Sequence, residues 1–236
     1  MKIYPLIFAT FIVSSAFAEE VILETKFNHP DFAIGELPEN GPWRSTGTTP
    51  ARVVDGDSAM PPALDGQALM LERIDTKEVP SARAIFVPLT KVVTEPFHVS
   101  LDVGCQARSR FPVFEILVGD STTGSRGVFT GITFSKEQKG KLFAFAYDGT
   151  EQRVLGLDHP AADEIHPGEV YRFEILVDPA NGKYDLRVLQ GNKVIVQASG
   201  YRVRNDISAF NALSVRIAGG AEGDSMMVDN VRVIYP

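Results

Sequence analysis

Several carboxylates of this chain lie in predicted strands, and two carboxylates about 5–10 Å apart can hydrolyse a glycosidic bond. Glu115 and Glu174 each stand alone in an alternating apolar run. Asp178 and Asp185 fall at strand ends beside a predicted turn. The alternative to catalysis is that these carboxylates are solvated on an outer face. The sequence therefore predicts no catalytic pair within one strand, and a pair drawn from separate strands stays open.

Two other catalytic constellations are poorly matched. A lyase acting on an acidic sugar needs an Arg, a Gln or Asn, a His and a Tyr, since the Arg neutralises the uronate and Tyr or His moves the proton. Tyr171-Arg172 and Glu164-Ile165-His166 are only superficial likenesses, and His166 precedes a Pro-Gly loop. The four histidines form no His-Glu-x-x-His pattern, which disfavours a catalytic zinc site.

Sugar recognition needs flat aromatic rings and polar side chains. Trp43 follows a Gly/Pro-rich segment, where it either packs in the core or lines a cleft, and Tyr147 ends a strand beside Asp148-Gly149. Arg108 and Arg110 precede Phe111-Pro112 and could contact an acidic glycan, the alternative being solvated charges. We therefore predict four ligand-binding residues, namely Trp43, Tyr147, Arg108 and Arg110.

The elements that must position these residues are strands. Apolar and polar residues alternate through most of the chain, most regularly over 170–178, and no stretch keeps a helical period for three turns. Asn181-Gly182 supplies the positive φ angles of a tight hairpin. Many strands joined by turns, without intervening helices, predict an all-β, two-sheet antiparallel sandwich.

The order of these strands and turns resembles the concanavalin A-like (laminin-G-like) jelly roll of exported bacterial proteins. The features that carry this resemblance are Gly35 to Trp43, Asp178, the turn Asn181-Gly182, the strand Tyr184-Asp185-Leu186, the turn Gly191-Asn192 and the closing run from Val228 to Val233. The resemblance implies a twisted jelly-roll sandwich whose concave face often holds saccharides. The Glu-x-Asp-x-Glu and Glu-x-Asp-x-x-Glu patterns of jelly-roll hydrolases are absent.

A structural calcium ion is a second implication of the resemblance, because jelly rolls often bind one where the first and last strands meet. Calcium requires hard oxygen ligands. Asp229 matches the family's aspartate position, and Asn230 and Glu24 are the expected partners. The alternative is that Asp229 forms a hydrogen bond in the closing strand.

The N-terminus and the composition limit where the protein works. Lys2, an apolar run and Ala16-Phe17-Ala18 predict a signal peptide at 1–18, which leaves a single domain at 19–236 in the periplasm or secreted. No later stretch has the length of a membrane span. The net charge of −7 argues against nucleic-acid binding. The single cysteine, Cys105, lies in an alternating run and is predicted to be a small buried side chain.

These observations favour an exported, non-catalytic module that binds carbohydrate or recognises a surface, with a polysaccharide or other glycan as its partner. The alternative is a polysaccharide-degrading enzyme, either a glycoside hydrolase or a polysaccharide lyase, with an active site dispersed over the concave face. A third possibility is an adhesion domain that binds protein.

Overall fold

A computed structural model describes residues 19–28, 31–37, 41–46, 51–56, 64, 66–73, 83–135, 138, 140–155 and 163–235. The predicted signal peptide at 1–18 lies outside the described residues and stays a prediction. Within the described ranges, no helix is both long and apolar enough to cross a membrane.

Strands dominate the described residues, together with a short 3-10 helix at Arg204–Asp206. In chain order the strands are β1 (Glu20–Thr25), β2 (Gly35–Glu36), β3 (Arg44–Thr46), β4 (Ala51–Asp55), β5 (Gln67–Glu72), β6 (Arg83–Val93), β7 (Phe97–Gln106), β8 (Val113–Asp120), β9 (Ser125–Phe134), β10 (Leu142–Asp148), β11 (Glu151–Val154), β12 (Val170–Asp178), β13 (Lys183–Gln190), β14 (Lys193–Arg202), β15 (Phe210–Gly219) and β16 (Ser225–Tyr235).

The strands form two sheets in which the pairings are antiparallel. Sheet A has the order β14-β13-β12-β7-β16-β5-β4-β2, with β1 also paired to β16. Sheet B has the order β11-β10-β9-β8-β15-β6-β3. Strands distant in sequence, such as β7 and β16 or β8 and β15, are neighbours in space. The prediction of a two-sheet antiparallel sandwich is therefore confirmed.

The main hydrophobic core lies between the sheets, because alternation turns one face of each strand inward. In β12, Tyr171, Phe173 and Ile175 are fully buried, whereas Arg172 and Leu176 point outward. Burying each such large apolar side chain contributes about 1.5–3 kcal/mol relative to exposure. Cys105 belongs to this core, and burial raises the pKa of its thiol to about 12. It is therefore the small buried side chain that the sequence predicts.

The hairpin between β12 and β13 forms at the predicted turn. Asp178 accepts hydrogen bonds from the backbone N–H and the side-chain amide of Asn181 at 3.1 and 2.6 Å. Gly182 has a φ of 60°, which glycine adopts without the steric cost that other residues meet. Local chemistry thus sets the register that aligns Val177 with Tyr184.

Candidate functional site

The outer face of sheet B carries two rows of cross-strand neighbours. One row crosses six strands and consists of Phe86, Ser214, Leu117, Phe129, Tyr147 and Gln152. The next row contains Ala84, Arg216, Glu115, Gly131, Phe145 and Val154. Side chains between these positions, such as Ile116 and Val215, belong to the core. The outer face is therefore a continuous surface, separate from the main core.

An ion pair lies in the middle of this face. Glu115 and Arg216 are directly opposite each other on β8 and β15, and Arg216 Nε donates to the Glu115 carboxylate. Their side chains are only 7% and 12% exposed, respectively. Burial lowers the pKa of the Arg216 guanidinium below its ordinary value. Glu115 thus compensates a charge that the face holds largely away from water.

Aromatic rings form a small cluster beside the ion pair. Phe129 and Tyr147 stack with their ring centroids 4.4 Å apart and their planes 2° from parallel. Phe145 meets the Phe129 ring edge-on at 5.7 Å. Offset-stacked and edge-on arrangements both match the charge distribution of aromatic rings.

Three arginines surround the Phe129 ring; we name Arg126, Arg204 and Arg216 the arginine cluster. Their guanidinium carbons lie 5.8, 5.9 and 5.7 Å from the ring centroid, respectively. The Arg204 guanidinium also lies 5.1 Å from the Tyr147 centroid. These distances are those of cation–π contacts. The rings therefore support a cluster of positive charges.

Separate elements bring the arginine cluster together. Arg126 lies near the start of β9, where the register with Gly119 is irregular. Arg204 lies in the 3-10 helix after β14, in which Asn205 has a φ of 62°. The Asn205 side-chain amide donates to the carbonyl oxygen of Arg126 at 3.3 Å, which ties this helix to β9.

A cavity of about 240 Å³ opens on the same face beside the cluster. Small residues such as Ala84, Gly119 and Ala212 leave room for the cavity. Phe86 and Leu117 provide larger apolar side chains in its lining. The other lining residues are Asp120, Ser121, Gly124, Ser125, Arg126, Ser214 and Arg216. This mixture of apolar side chains and hydrogen-bonding groups is typical of a small-molecule site.

The loop after β8 borders the cavity and is ordered by Asp120. The Asp120 carboxylate accepts hydrogen bonds from Thr122, Thr123 and the Asn211 amide. The Thr122 side-chain hydrogen bond is the largest reason why the pKa of Asp120 is lowered to about 2. Asp120 is therefore an anion at neutral pH and does not serve as a proton donor.

The structure places the four predicted ligand-binding residues in three surroundings. Tyr147 lies on the outer face of sheet B beside Arg204. Trp43 is 2% exposed and packs against Phe27, so it occupies the core position that the sequence left open. Arg108 and Arg110 lie in the loop between β7 and β8.

That loop is held by a buried carboxylate. Asp224 accepts hydrogen bonds from the backbone N–H groups of Arg108 and Ser109 at 2.6 and 2.9 Å and from the Ser109 hydroxyl at 2.5 Å. It also accepts one from the N–H of Ala221 at 2.8 Å. These contacts order the loop backbone. Arg108 and Arg110 are not among the residues that line the cavity, and their role in ligand binding stays a prediction.

The remaining carboxylates from the sequence analysis do not join Glu115. Glu174 lies on sheet A and pairs with Arg187 at 3.2 Å. Asp178 is engaged in its turn, and Asp185 accepts a hydrogen bond from the Gly200 N–H at 2.7 Å. Of the carboxylates the sequence pointed to, only Glu115 faces the candidate site.

The predicted calcium ligands have separate contacts. Asn230 donates its side-chain amide to Asp102 at 2.9 Å, and Asp102 also accepts from Arg172 at 2.8 and 2.9 Å. A carboxylate oxygen of Glu24 lies 3.9 Å from the Nζ atom of Lys26. Among the described residues, no group of three or more His, Cys, Asp or Glu side chains is placed to hold a metal ion. The calcium site stays a prediction.

A pair of thermal melts tests that prediction. Calcium that binds only the folded state stabilises it by about 2.7 kcal/mol at a hundredfold excess over Kd, which raises Tm by several degrees. The melts compare chelator with millimolar calcium, for the wild type and for Asp229→Ala. A calcium site at Asp229 requires a shift that the variant lacks, and equal wild-type Tm values in both buffers would contradict it.

Comparisons with known proteins agree with the fold. No protein-family model matches the chain, and no curated protein matches it significantly in sequence. Among solved structures, a sialidase matches with a TM-score of 0.55 and 12% identity, over 85% of this chain and 18% of the sialidase. An alginate lyase in complex with an alginate tetrasaccharide matches with a TM-score of 0.50 and 14% identity, over 89% of this chain and 95% of the lyase. A β-1,3-glucanase from Mycobacterium marinum matches with a TM-score of 0.52 and 12% identity, over 91% of this chain and 98% of the glucanase.

These similarities concern the fold alone, because the sequence identities are low. Together with the two antiparallel sheets they define the fold, a concanavalin A-like jelly-roll sandwich. The jelly-roll fold that the resemblance implies is thereby confirmed.

Proposed function

We propose that this protein is an exported, non-catalytic module that binds a glycan on the outer face of sheet B. The observation that carries the proposal is the cavity of about 240 Å³ on that face. A sugar ring has apolar C–H faces and a rim of hydroxyls. In the cavity, Phe86 and Leu117 offer apolar contacts, and Ser214 and Arg216 offer hydrogen-bonding groups. The low-identity matches to an alginate lyase and a glucanase support a carbohydrate ligand by analogy of fold.

A binding role is favoured over hydrolysis by the state of Glu115. Hydrolysis requires two carboxylates across the scissile bond. On this face Glu115 is engaged by Arg216, and Asp120 is an anion held by its own loop. We therefore propose that Glu115 positions Arg216 and does not perform acid–base chemistry.

A screen over a polysaccharide panel separates the two classes of function. Glycan arrays and affinity gels measure binding by residues 19–236. Reducing-end assays and the absorbance of unsaturated uronates measure hydrolysis and elimination, respectively. Binding without product formation supports the module, whereas turnover would establish the enzyme.

A steric variant locates the binding site. Ala212 is 7% exposed and lines the cavity, so Ala212→Leu places three more carbon atoms where the sugar would lie. We expect this variant to lose at least about tenfold in affinity, which corresponds to roughly 1.4 kcal/mol. Titration calorimetry against a glycan identified in the screen measures the change.

The matched control is Ala180→Leu, the same exchange at an exposed turn of sheet A. It should bind as the wild type does, and the Tm of both variants shows whether they remain folded. Equal affinities of the wild type and a folded Ala212→Leu protein would place the glycan elsewhere.

A further inference from the structure

We propose that the glycan bound on this face is acidic and that its carboxylate or sulfate groups bind the arginine cluster. The inference rests on the proposed function and adds the charge of the ligand. It is carried by three observations: the uncompensated charges of Arg126 and Arg204, the coverage of the Phe129 ring, and the overlap between the cluster and the cavity.

The cluster holds more positive charge than the described protein groups neutralise. Arg216 is paired with Glu115, but neither Arg126 nor Arg204 forms an ion pair with a carboxylate among the described residues. Arg204 Nε is buried and lacks a hydrogen-bond acceptor within the described part of the chain. Partial burial lowers the pKa of Arg126, and the nearby charge of Arg204 lowers it further. Two adjacent cations therefore repel each other on a chain whose net charge is −7.

An anion would relieve this arrangement. It would compensate the mutual repulsion of Arg126 and Arg204 and could accept from the buried Nε of Arg204. The planar guanidinium presents a fork of N–H donors that matches carboxylate and sulfate oxygens in a bidentate geometry. Ligand binding would thus supply the counter-charge that the described residues do not.

The aromatic rings here position cations and do not form an open stacking platform. Phe129 is 4% exposed, since the three guanidinium groups and its neighbouring rings surround it. A sugar approaching from solvent therefore meets the arginine side chains before it meets the ring. The surface offered to the ligand is cationic, although it is built on aromatic side chains.

The cluster and the cavity share two residues. Arg126 and Arg216 both line the cavity and both contact the Phe129 ring. A sugar in the cavity would have its acidic group within reach of these arginines. Asp120 also lines the cavity as an anion and would repel such a group, so the acidic substituent is directed towards the cluster.

Matched polysaccharides test the charge of the ligand. Polygalacturonate is compared with its fully methyl-esterified form, which keeps the sugar backbone and removes the charge. Dextran sulfate is compared with dextran to test sulfate as the anionic group. Affinity gels and titration calorimetry at one fixed ionic strength measure binding, because screening by salt changes any charge contact.

Two cluster variants and one control test whether binding of the charged polysaccharide depends on the arginine cluster. Arg126→Gln and Arg204→Gln each remove one charge and keep most of the side chain, and both should lose about tenfold or more in affinity for the charged probe that binds. Arg187→Gln is the control, since it removes the same charge from the outer face of sheet A, where Arg187 pairs with Glu174. Its affinity should match that of the wild type, and the Tm of each variant confirms folding.

The outcomes distinguish failure of this inference from failure of the proposed function. Preference for polygalacturonate or for dextran sulfate over its neutral partner, lost in the cluster variants, supports the inference and identifies the anionic group. Binding to neutral glycans that Ala212→Leu abolishes but the cluster variants retain overturns the inference and leaves the proposed function intact. Equal losses in Arg187→Gln and the cluster variants overturn it as well. Failure of the wild type to bind any charged or neutral glycan overturns both.

Discussion

Replacing Glu115 by alanine should lower the free energy of unfolding by about 3–5 kcal/mol. The exchange leaves Arg216 without its partner at a site where its side chain is 12% exposed. The Arg216 guanidinium then has no carboxylate partner, and its buried position prevents water from hydrating it fully. Urea denaturation measures the change, and the corresponding fall in Tm is on the order of 10 °C.

The control for burial is Glu174→Ala. Glu174 also pairs with an arginine on an adjacent strand, but the side chain of its partner Arg187 is 48% exposed. Exposed pairs contribute less than about 1 kcal/mol, because water solvates the remaining charge. If Glu115→Ala and Glu174→Ala lowered the free energy of unfolding equally, the buried character of the Glu115–Arg216 pair would be contradicted.

A double replacement distinguishes two causes of the lower stability of Glu115→Ala, namely the unpaired charge of Arg216 and the loss of side-chain volume. Glu115→Leu combined with Arg216→Met removes both charges and retains apolar contacts on the face. Replacing a whole buried ion pair in this way is often neutral or stabilising, so the double variant should be more stable than Glu115→Ala. The same double variant should nevertheless bind the glycan less well, since Arg216 lines the cavity and belongs to the arginine cluster.

Local chemistry made part of this structure predictable. The alternation over Val170–Asp178 and the Asn181-Gly182 turn determine a hairpin without reference to distant residues. The outward set of Arg172, Glu174 and Leu176 follows once the core side is known. The burial of Cys105 follows from the same period. Each of these features depends on neighbours within one or two strands.

The candidate site was not predictable in this way. Arg126, Arg204 and Arg216 belong to β9, the 3-10 helix and β15. The order of strands in sheet B and the docking of the 3-10 helix on β9 together bring them to one ring. Alternation shows which side chains share a face of a strand but does not show which strands are neighbours. The loop position of Arg108 and Arg110 before Phe111-Pro112 likewise carries no information on cross-strand contacts.

Short elements were also beyond the sequence pattern. Strand β2 has two residues and β11 has four, which is too little alternation to distinguish a strand from a loop. The 3-10 helix contains a positive φ at Asn205, and the side-chain amide of this residue donates to the carbonyl oxygen of Arg126 on β9. Tertiary contacts determine these elements, so their position follows from the assembled sandwich.

Trp43 provides the second large effect. Its ring lies 5.1 Å from the Phe27 ring, and its Nε1 is 3.4 Å from the Thr25 hydroxyl oxygen that accepts its hydrogen bond. Removing a fully buried tryptophan leaves a large cavity and costs about 3–5 kcal/mol. We therefore expect Trp43→Ala to be severely destabilised in urea denaturation, while Trp43→Phe retains part of the packing and costs less.

Fluorescence then decides whether Trp43 also contacts the ligand. Trp43 is the only tryptophan, so the emission at selective excitation reports on this residue alone. A ring that is 2% exposed in an apolar core should emit at short wavelength. Because Trp43 is buried in the main core and does not line the cavity on the outer face of sheet B, saturating glycan should leave the emission maximum and intensity unchanged. A shift or quenching that follows the binding isotherm would instead return Trp43 to the ligand site that the sequence suggested.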